Sequence, residues 1–128
     1  RGHEWAFDGG VVVSASSSPH SVPLPYSIAN AVDPEEALVA AAASCHMLWF
    51  LSLAAKQGFA VESYCDEAFG TLEKNEAGKQ RFGRITLRPN ITWAGTPPSQ
   101  ERVQALHESA HAECMIANSL KCDVVVEG

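Results

Sequence analysis

Alternating apolar and polar residues mark the first element of the chain, over residues 1–16. Trp5 and Phe7 alternate with polar or small neighbours, and the β-branched run Val11–Val13 follows them. Asp8-Gly9-Gly10 lies between the two segments and has the composition of a tight turn. The pattern predicts a β-hairpin, followed over residues 16–27 by a Pro- and Ser-rich surface loop.

A nearly unbroken apolar segment then predicts a long helix. Asp33 suits the N-cap, Pro34 the first helical position, and Glu36 completes a D-x-x-E capping box. Gly58 ends the helix, so about 24 residues at 1.5 Å each give roughly 36 Å. Because this helix is apolar nearly all round, it must be covered on all sides. A single small domain has little material for that, and we infer a homodimer.

Residues 63–95 predict two long antiparallel strands with a turn at 75–79, and Ser99 then opens a second helix. "MIANSL" predicts a further helical turn, and "KCDVVVE" a closing strand. The order of elements gives an α+β fold in a single domain, 1–128. The residues that mark the return strand are Ile85, Leu87, Ile91 and Trp93. One face of the second helix consists of Val103, Leu106, Ala110 and Cys114. The side chains expected in the core on the faces of the sheet are Trp5, Phe69 and Trp93.

Composition narrows the classes of partner. Hydrophobic residues make up 46% of the chain and charged residues 19%, which is typical of a globular protein. The net charge of −6, without a run of basic residues, argues against a nucleic-acid partner or an anionic membrane surface. The uncharged segment Ala37–Ala55 approaches membrane-spanning length, but its many alanines and its polar interruptions favour a buried helix and no membrane partner.

The four cysteines are too few for a disulfide scaffold and show no C-x-x-C spacing. No signal peptide is recognisable, so we expect a reducing, cytoplasmic setting. There, a retained pair of cysteines is more often catalytic or redox-sensing than structural. Cys65 and Cys122, which fall in predicted strands, are interpreted as structural.

The segment "HESAHAEC" at 107–114 permits two kinds of chemistry. His107 and His111 fit the H-E-x-x-H pattern of zinc hydrolases, with Glu108 as the residue that activates water. No third ligand is evident, and an ordinary half-exposed amphipathic helix explains the histidines better than a zinc site does. Cys114, in contrast, shares the inward face of its helix. If the two central helices pack together, it can meet Cys45.

Cys45 lies in the middle of the first helix. A cysteine there is by default a small buried hydrophobe, whose pKa burial would raise. Reactivity therefore requires a cation nearby. Within the helix only His46 could serve, so an arginine has to be delivered from elsewhere in the fold.

Three separated segments resemble the OsmC/Ohr family, which comprises osmotically inducible protein C and the organic hydroperoxide resistance proteins. They are "VDPEEALVAAAASCHMLWFLSLAAKQG", "HESAHAEC" and "IANSL", in that order. The first carries a cysteine ten residues after its Glu35. "SCHML" and "HESAHAECMIANS" place the chain nearer the OsmC-like branch. The resemblance implies an intertwined α+β homodimer with active sites at the subunit interface.

The resemblance also implies a thiol-dependent peroxidase of organic hydroperoxides that acts in oxidative-stress defence. Cys45 matches the peroxidatic cysteine, Cys114 the resolving cysteine, and Glu35 the carboxylate that holds an activating arginine. The only arginine before the helix is Arg1. No metal or bound cofactor is expected, and an external dithiol regenerates the thiols. His107 and His111 then become supporting residues beside Cys114.

Two other functions remain open from the sequence. A protein of the same fold with weak or no peroxidase activity, binding an apolar ligand at the dimer interface, is the first. The zinc hydrolase is the second.

Overall fold

The computed structural model of the chain describes residues 1–127, and it has the predicted α+β composition. The chain divides into two compact units, Arg1–Leu38 and a second unit that begins at Val39. Whether they form the single domain expected over 1–128 stays a prediction.

The first unit contains the predicted hairpin. Strand β1 (His3–Ala6) pairs antiparallel with β2 (Val12–Ala15), and Trp5 lies opposite Val13. The turn needs a glycine, because Gly10 has a φ of 95°, in the left-handed region. The loop that follows is tied down, since the buried Ser16 hydroxyl accepts a hydrogen bond of 2.9 Å from the Ile28 N–H.

Helix α1 (Pro34–Lys56) begins with the capping box that the sequence predicts. The Asp33 N–H donates to Glu36 Oε1 at 3.1 Å, and the Glu36 N–H donates to Asp33 Oδ1 at 2.8 Å. Two N–H groups that the helix cannot pair are thereby satisfied. After Lys56 the chain turns through Gly58, whose φ is 84°.

One stripe of α1 is buried, at every fourth residue: Ala42, His46, Phe50 and Ala54. The other faces are only partly covered, and Leu48 is 60% exposed. By length and composition α1 would also be able to cross a membrane. Within this one chain, 22% of its most apolar stretch is buried. Helices from the cores of water-soluble proteins meet the same criteria.

The predicted two long strands are each divided in two, which corrects the prediction. Strands β3 (Ala60–Asp66) and β4 (Phe69–Lys74) form one arm, and β5 (Gln80–Leu87) and β6 (Pro89–Ala94) form the other. β4 pairs with β5 and β3 with β6, in separate sheets. At the break, the Arg88 N–H donates to the Asp66 side chain at 2.7 Å. Because this amide serves a carboxylate and not the opposite backbone, the ladder is interrupted there.

The turn of this hairpin is confirmed at 75–79, where the Asn75 N–H donates to the Lys79 carbonyl at 2.7 Å. Strand β7 (Asp123–Val126) lies parallel to β5 and contributes Val124 to the buried residues. Phe69 is 44% exposed in the single chain, so its predicted place in the core is not observed. Trp93, in contrast, packs against the core around Phe50.

Helix α2 (Gln100–Glu113) begins at Ser99, whose hydroxyl accepts from the Arg102 N–H at 3.2 Å. Leu106 and Ala110 are buried against Phe50 and Ala54 of α1, as the apolar spacing predicts. A short helix α3 (Met115–Ser119) follows at once, which confirms the further helical turn expected there.

Candidate functional site

Cys45 and Cys114 are brought together by the packing of α1 against the end of α2. Both are free thiols, Cys45 half-buried and Cys114 almost fully buried. The two side chains are hydrogen-bonded to each other. The sequence predicts this proximity on the condition that the two central helices pack together. That condition is met, since residues of α1 and α2 share one buried cluster.

Cys114 is buried, as its predicted place on the inward face requires, but it lies just after α2 and not within the helix. It is the residue that ends α2 and begins α3, with extended backbone angles of φ −65° and ψ 111°. Its sulfur accepts the Ala117 N–H at 3.4 Å, as an N-cap side chain does. As at the start of any helix, the first N–H groups of α3 have no partner within the helix.

These free N–H groups stabilise the charged form of Cys45. Burial by itself raises the pKa of a thiol, but here it is outweighed by a hydrogen bond from the Ile116 N–H, one from the Cys114 thiol and one from the Met115 N–H. The pKa of Cys45 is therefore lowered. The sequence predicts a separate helical turn at "MIANSL", but it does not show that the first N–H groups of that turn reach Cys45.

Cys114 is shifted in the opposite direction. Burial raises its pKa, and the neighbouring Cys45 raises it further, against hydrogen bonds from Ala117 and Ile116 that lower it. Where Cys45 ionises first, Cys114 remains protonated and donates its proton to the Cys45 sulfur. The pair is thus divided into a thiolate and a thiol.

Arg1 and Glu35, the other two predicted site residues, both lie in the first unit. Arg1 is exposed, and its backbone nitrogen donates to the Tyr26 carbonyl at 2.9 Å. Among residues 1–127, no ion pair joins Arg1 to Glu35. One carboxylate oxygen of Glu35, Oε2, is buried there without a hydrogen-bond partner. The predicted arginine–carboxylate contact is therefore not formed in this structure.

A pair of histidines joins α1 to α2, although the sequence indicates only a supporting place for His107. Its Nδ1 lies 2.9 Å from Nε2 of His46, with the two rings inclined by 11°, and its ring also stacks on Phe50 at 4.3 Å. The pKa of both histidines is lowered to about 4, mainly by burial, and in His46 the nearby His107 and His111 contribute to this lowering. The sequence signal for this pair was His46, a histidine within an otherwise apolar helix, and sequence reasoning did not use it.

The histidine pair also changes the zinc interpretation of H-E-x-x-H. His107 uses one ring nitrogen for His46, while Glu108 and His111 are exposed. Within the part of the chain that the structure describes, no group of three or more His, Cys, Asp or Glu side chains is arranged to hold a metal. The remaining cysteines are separate from the site, Cys65 exposed on β3 and Cys122 buried just before β7.

Comparison with solved structures shows the same fold in several proteins. An OsmC-like protein of unknown function from Vibrio cholerae is 52% identical, with a TM-score of 0.96, over 99% of this chain and 83% of that one. An organic hydroperoxide resistance protein, OsmC, from Legionella pneumophila is 17% identical, with a TM-score of 0.75, over 100% and 94%. The OhrB organic hydroperoxide resistance protein of Bacillus subtilis is 22% identical, with a TM-score of 0.66, over 99% and 95%.

A comparison with curated protein sequences gave no significant match. The family model described as OsmC-like protein, in contrast, matches residues 28–127, which include α1, both thiols and the closing strand. The resemblance found in the sequence is thereby confirmed, and the chain belongs to the OsmC-like family.

Proposed function

We propose that the protein is a thiol-dependent peroxidase that reduces organic hydroperoxides and serves in oxidative-stress defence. The observation that carries the proposal is the hydrogen-bonded pair of Cys45 and Cys114, with the pKa of the first lowered and that of the second raised. A peroxidatic cysteine needs to be a thiolate, and a resolving cysteine needs to wait beside it as a thiol.

The reaction proceeds in two steps on the protein. The Cys45 thiolate attacks the distal oxygen of the hydroperoxide ROOH, the O–O bond breaks, and RO⁻ leaves and takes up a proton to become the alcohol ROH. Cys45 is oxidised to a sulfenic acid. The Cys114 sulfur then attacks the Cys45 sulfur, water leaves, and a Cys45–Cys114 disulfide forms. An external dithiol reduces this disulfide by exchange and is itself oxidised to a disulfide.

Activation of Cys45 in this scheme relies on backbone donors. The N–H groups of Met115 and Ile116 stabilise its thiolate, whereas Arg1 makes no ion pair with Glu35 among the described residues. Backbone N–H groups supply partial charge without a counter-ion, so a moderate rather than a strong lowering of the pKa follows. The buried, unpaired oxygen of Glu35 is free to receive a cation.

The preference for organic hydroperoxides is supported by the surroundings of Cys45 and by the relatives. Leu48 and Trp49 follow it by one helical turn and give that part of α1 an apolar surface. The proteins from L. pneumophila and B. subtilis are named for organic hydroperoxide resistance. Apolar walls favour alkyl or fatty-acid hydroperoxides over hydrogen peroxide, because burial of the organic group supplies binding energy.

We also propose that the protein acts in the cytoplasm as a homodimer, reduced by an external dithiol and without nucleic acid, membrane, metal or cofactor. A reducing compartment keeps the two thiols ready between reactions. A second copy would cover the faces of α1 that one chain leaves exposed, including Leu48.

Free-thiol titration before and after one equivalent of cumene hydroperoxide tests the function, with mass mapping of any new disulfide. We expect two thiols to disappear and to be recovered as a Cys45–Cys114 disulfide. Cys45→Ser should abolish peroxide consumption, and Cys114→Ser should allow one turnover and then stall as a sulfenic acid. Cys65→Ser is the matched control, because Cys65 is exposed and lies apart from the pair.

Three outcomes would contradict the proposal: no loss of thiols, a disulfide that involves Cys65 or Cys122, or full turnover in both single variants. The first of these would favour the alternative, a protein of this fold without peroxidase activity that binds an apolar ligand at the dimer interface.

A further inference from the structure

A cleft in the second unit lies beside the histidine pair and contains neither thiol. Its volume is about 880 Å³, and it lies between α2 and strands β6 and β7. The apolar part of its wall consists of Ile91, Trp93, Val103 and Val124–Val126. Such a surface buries the hydrocarbon part of a ligand.

The polar part of the wall comes from α2. His107, Glu108 and His111 lie along the cleft, with Gln100 and Gln104 one to two turns before them. Among the described residues that line it, none is a lysine or an arginine. The cleft therefore offers hydrogen-bonding groups and the carboxylate of Glu108, without a permanently charged cation.

The position of the proton on His107 follows from its partner. Nδ1 of the buried His46 has no hydrogen-bond partner, while Nε2 of that ring contacts His107 Nδ1. A buried N–H without an acceptor is rarer and less favourable than a buried lone pair without a donor. The proton of His46 therefore belongs on Nε2, where it is donated to His107 Nδ1.

With its Nδ1 occupied as an acceptor, neutral His107 carries its own proton on Nε2, which makes no other hydrogen bond in the described chain. The ring is held in one orientation by His46 on one side and by stacking on Phe50 at 4.3 Å. A fixed N–H donor thus borders the cleft. The lowered pKa of His107, about 4, keeps this donor uncharged near neutral pH.

We propose that this cleft binds apolar molecules that carry one uncharged acceptor oxygen, such as medium-chain alcohols and ketones. The oxygen accepts the His107 Nε2–H, and the chain packs against Trp93 and the valines of β7. Anionic ligands such as carboxylates are disfavoured, because the donor is neutral and Glu108 repels them. The site goes beyond the proposed peroxidase, since it requires no thiol chemistry.

The test compares 1-octanol with octanoate, two ligands of equal chain length that differ in charge. Binding to the reduced protein is followed by tryptophan emission at about pH 7.5, where octanoate is ionised. We expect saturable binding of octanol and at least about ten-fold weaker binding of octanoate. Trp93→Phe should remove most of the signal, because Trp93 lines the cleft.

Two substitutions of His107 separate the donor from the contact with His46. His107→Asn keeps a group near the Nδ1 position and loses the donor in the cleft, so octanol should bind at least about five-fold more weakly. His107→Gln keeps an N–H near the Nε2 position and should bind octanol within about two-fold of the wild type. Glu108→Gln, an exposed change that leaves the core intact, should strengthen octanoate binding alone.

Octanoate bound as tightly as octanol, equal effects of the Asn and Gln variants, or no saturable binding would overturn the proposal. The same titration on Cys45→Ser separates it from the peroxidase. Cys45→Ser should bind octanol as tightly as the wild type does, whether or not the wild type consumes peroxide.

Discussion

At the scale of single residues, the two thiols of the pair differ in what their surroundings do to the charged form. Cys45 receives hydrogen bonds from Ile116, Cys114 and Met115, whereas Cys114 is buried beside a sulfur that becomes negative. The pKa of Cys45 is lowered and that of Cys114 is raised. One thiolate and one thiol at the same pH are what a peroxidatic and a resolving cysteine need.

The first prediction concerns the rate of alkylation by iodoacetamide as a function of pH. Since only the thiolate reacts, the midpoint for Cys45 should be lower in the folded protein than in the same protein unfolded in urea. Cys114→Ala removes one donor and should move the folded-state Cys45 midpoint upward. Peptide mapping by mass spectrometry assigns the sites. Equal Cys45 midpoints in the folded and unfolded protein would contradict the division of the pair.

At the scale of elements, α1 and α2 are joined by apolar packing around Phe50 and by one polar contact, the His46–His107 hydrogen bond of 2.9 Å. Both rings are buried in the neutral form, and protonation of either places a charge where solvation is poor. In both, the pKa is lowered from its usual 6.5 to about 4.

The second prediction follows from the sign of these shifts. The unfolded chain takes up protons on both histidines near pH 6.5, and the folded protein only near pH 4. The associated stability is therefore complete above pH 6.5 and is lost as the pH falls toward 4. His46, which is 1% exposed, should account for on the order of 2 kcal/mol of it.

Urea denaturation at a series of pH values measures this effect. In the double variant His46→Phe/His107→Phe, most of the decline in the free energy of unfolding between pH 6.5 and 4 should disappear. The carboxylates are the same in both proteins, so they do not contribute to the difference. His20→Gln is the matched control, because His20 is exposed, and it should retain the decline. An unchanged decline in the double variant would sink this account of the pair.

At the scale of the whole molecule, α1 raises the question of what covers its apolar surface. Its buried stripe runs through Ala42, His46, Phe50 and Ala54, while Leu48 is 60% exposed in the single chain. A large exposed aliphatic side chain on an otherwise apolar helix is typical of an interface. The homodimer proposed above would bury it.

The third prediction is that the protein has twice the chain mass of 13.7 kDa in solution. Leu48→Asp should shift it to the mass of one chain, because burying an unpaired carboxylate in an apolar interface is unfavourable. Light scattering after size exclusion measures the mass. Ala77→Asp, in the exposed turn at 75–79, is the control and should stay dimeric. A wild type at 13.7 kDa would contradict the homodimer.

Several local features could be predicted from the sequence because they depend on residues close together in the chain. The capping box of Asp33 and Glu36, the end of α1 at Gly58 and the turn at 75–79 all formed as expected. Each is a matter of a few side chains and backbone groups within one or two turns. The family followed in the same way, from motifs that are contiguous in sequence.

Three features were decided only in three dimensions: the break in the long strands, the N–H donors that reach Cys45, and the histidine pair. Asp66 interrupts the ladder by accepting from Arg88, 22 residues away, and His46 meets His107, 61 residues away. No local pattern encodes such contacts, because they exist only once α1, α2 and the strands have packed. By itself, the sequence predicted the family and the two cysteines that the fold brings together. The tertiary structure decided which donors surround them, and therefore which thiol ionises and which imidazole faces the cleft.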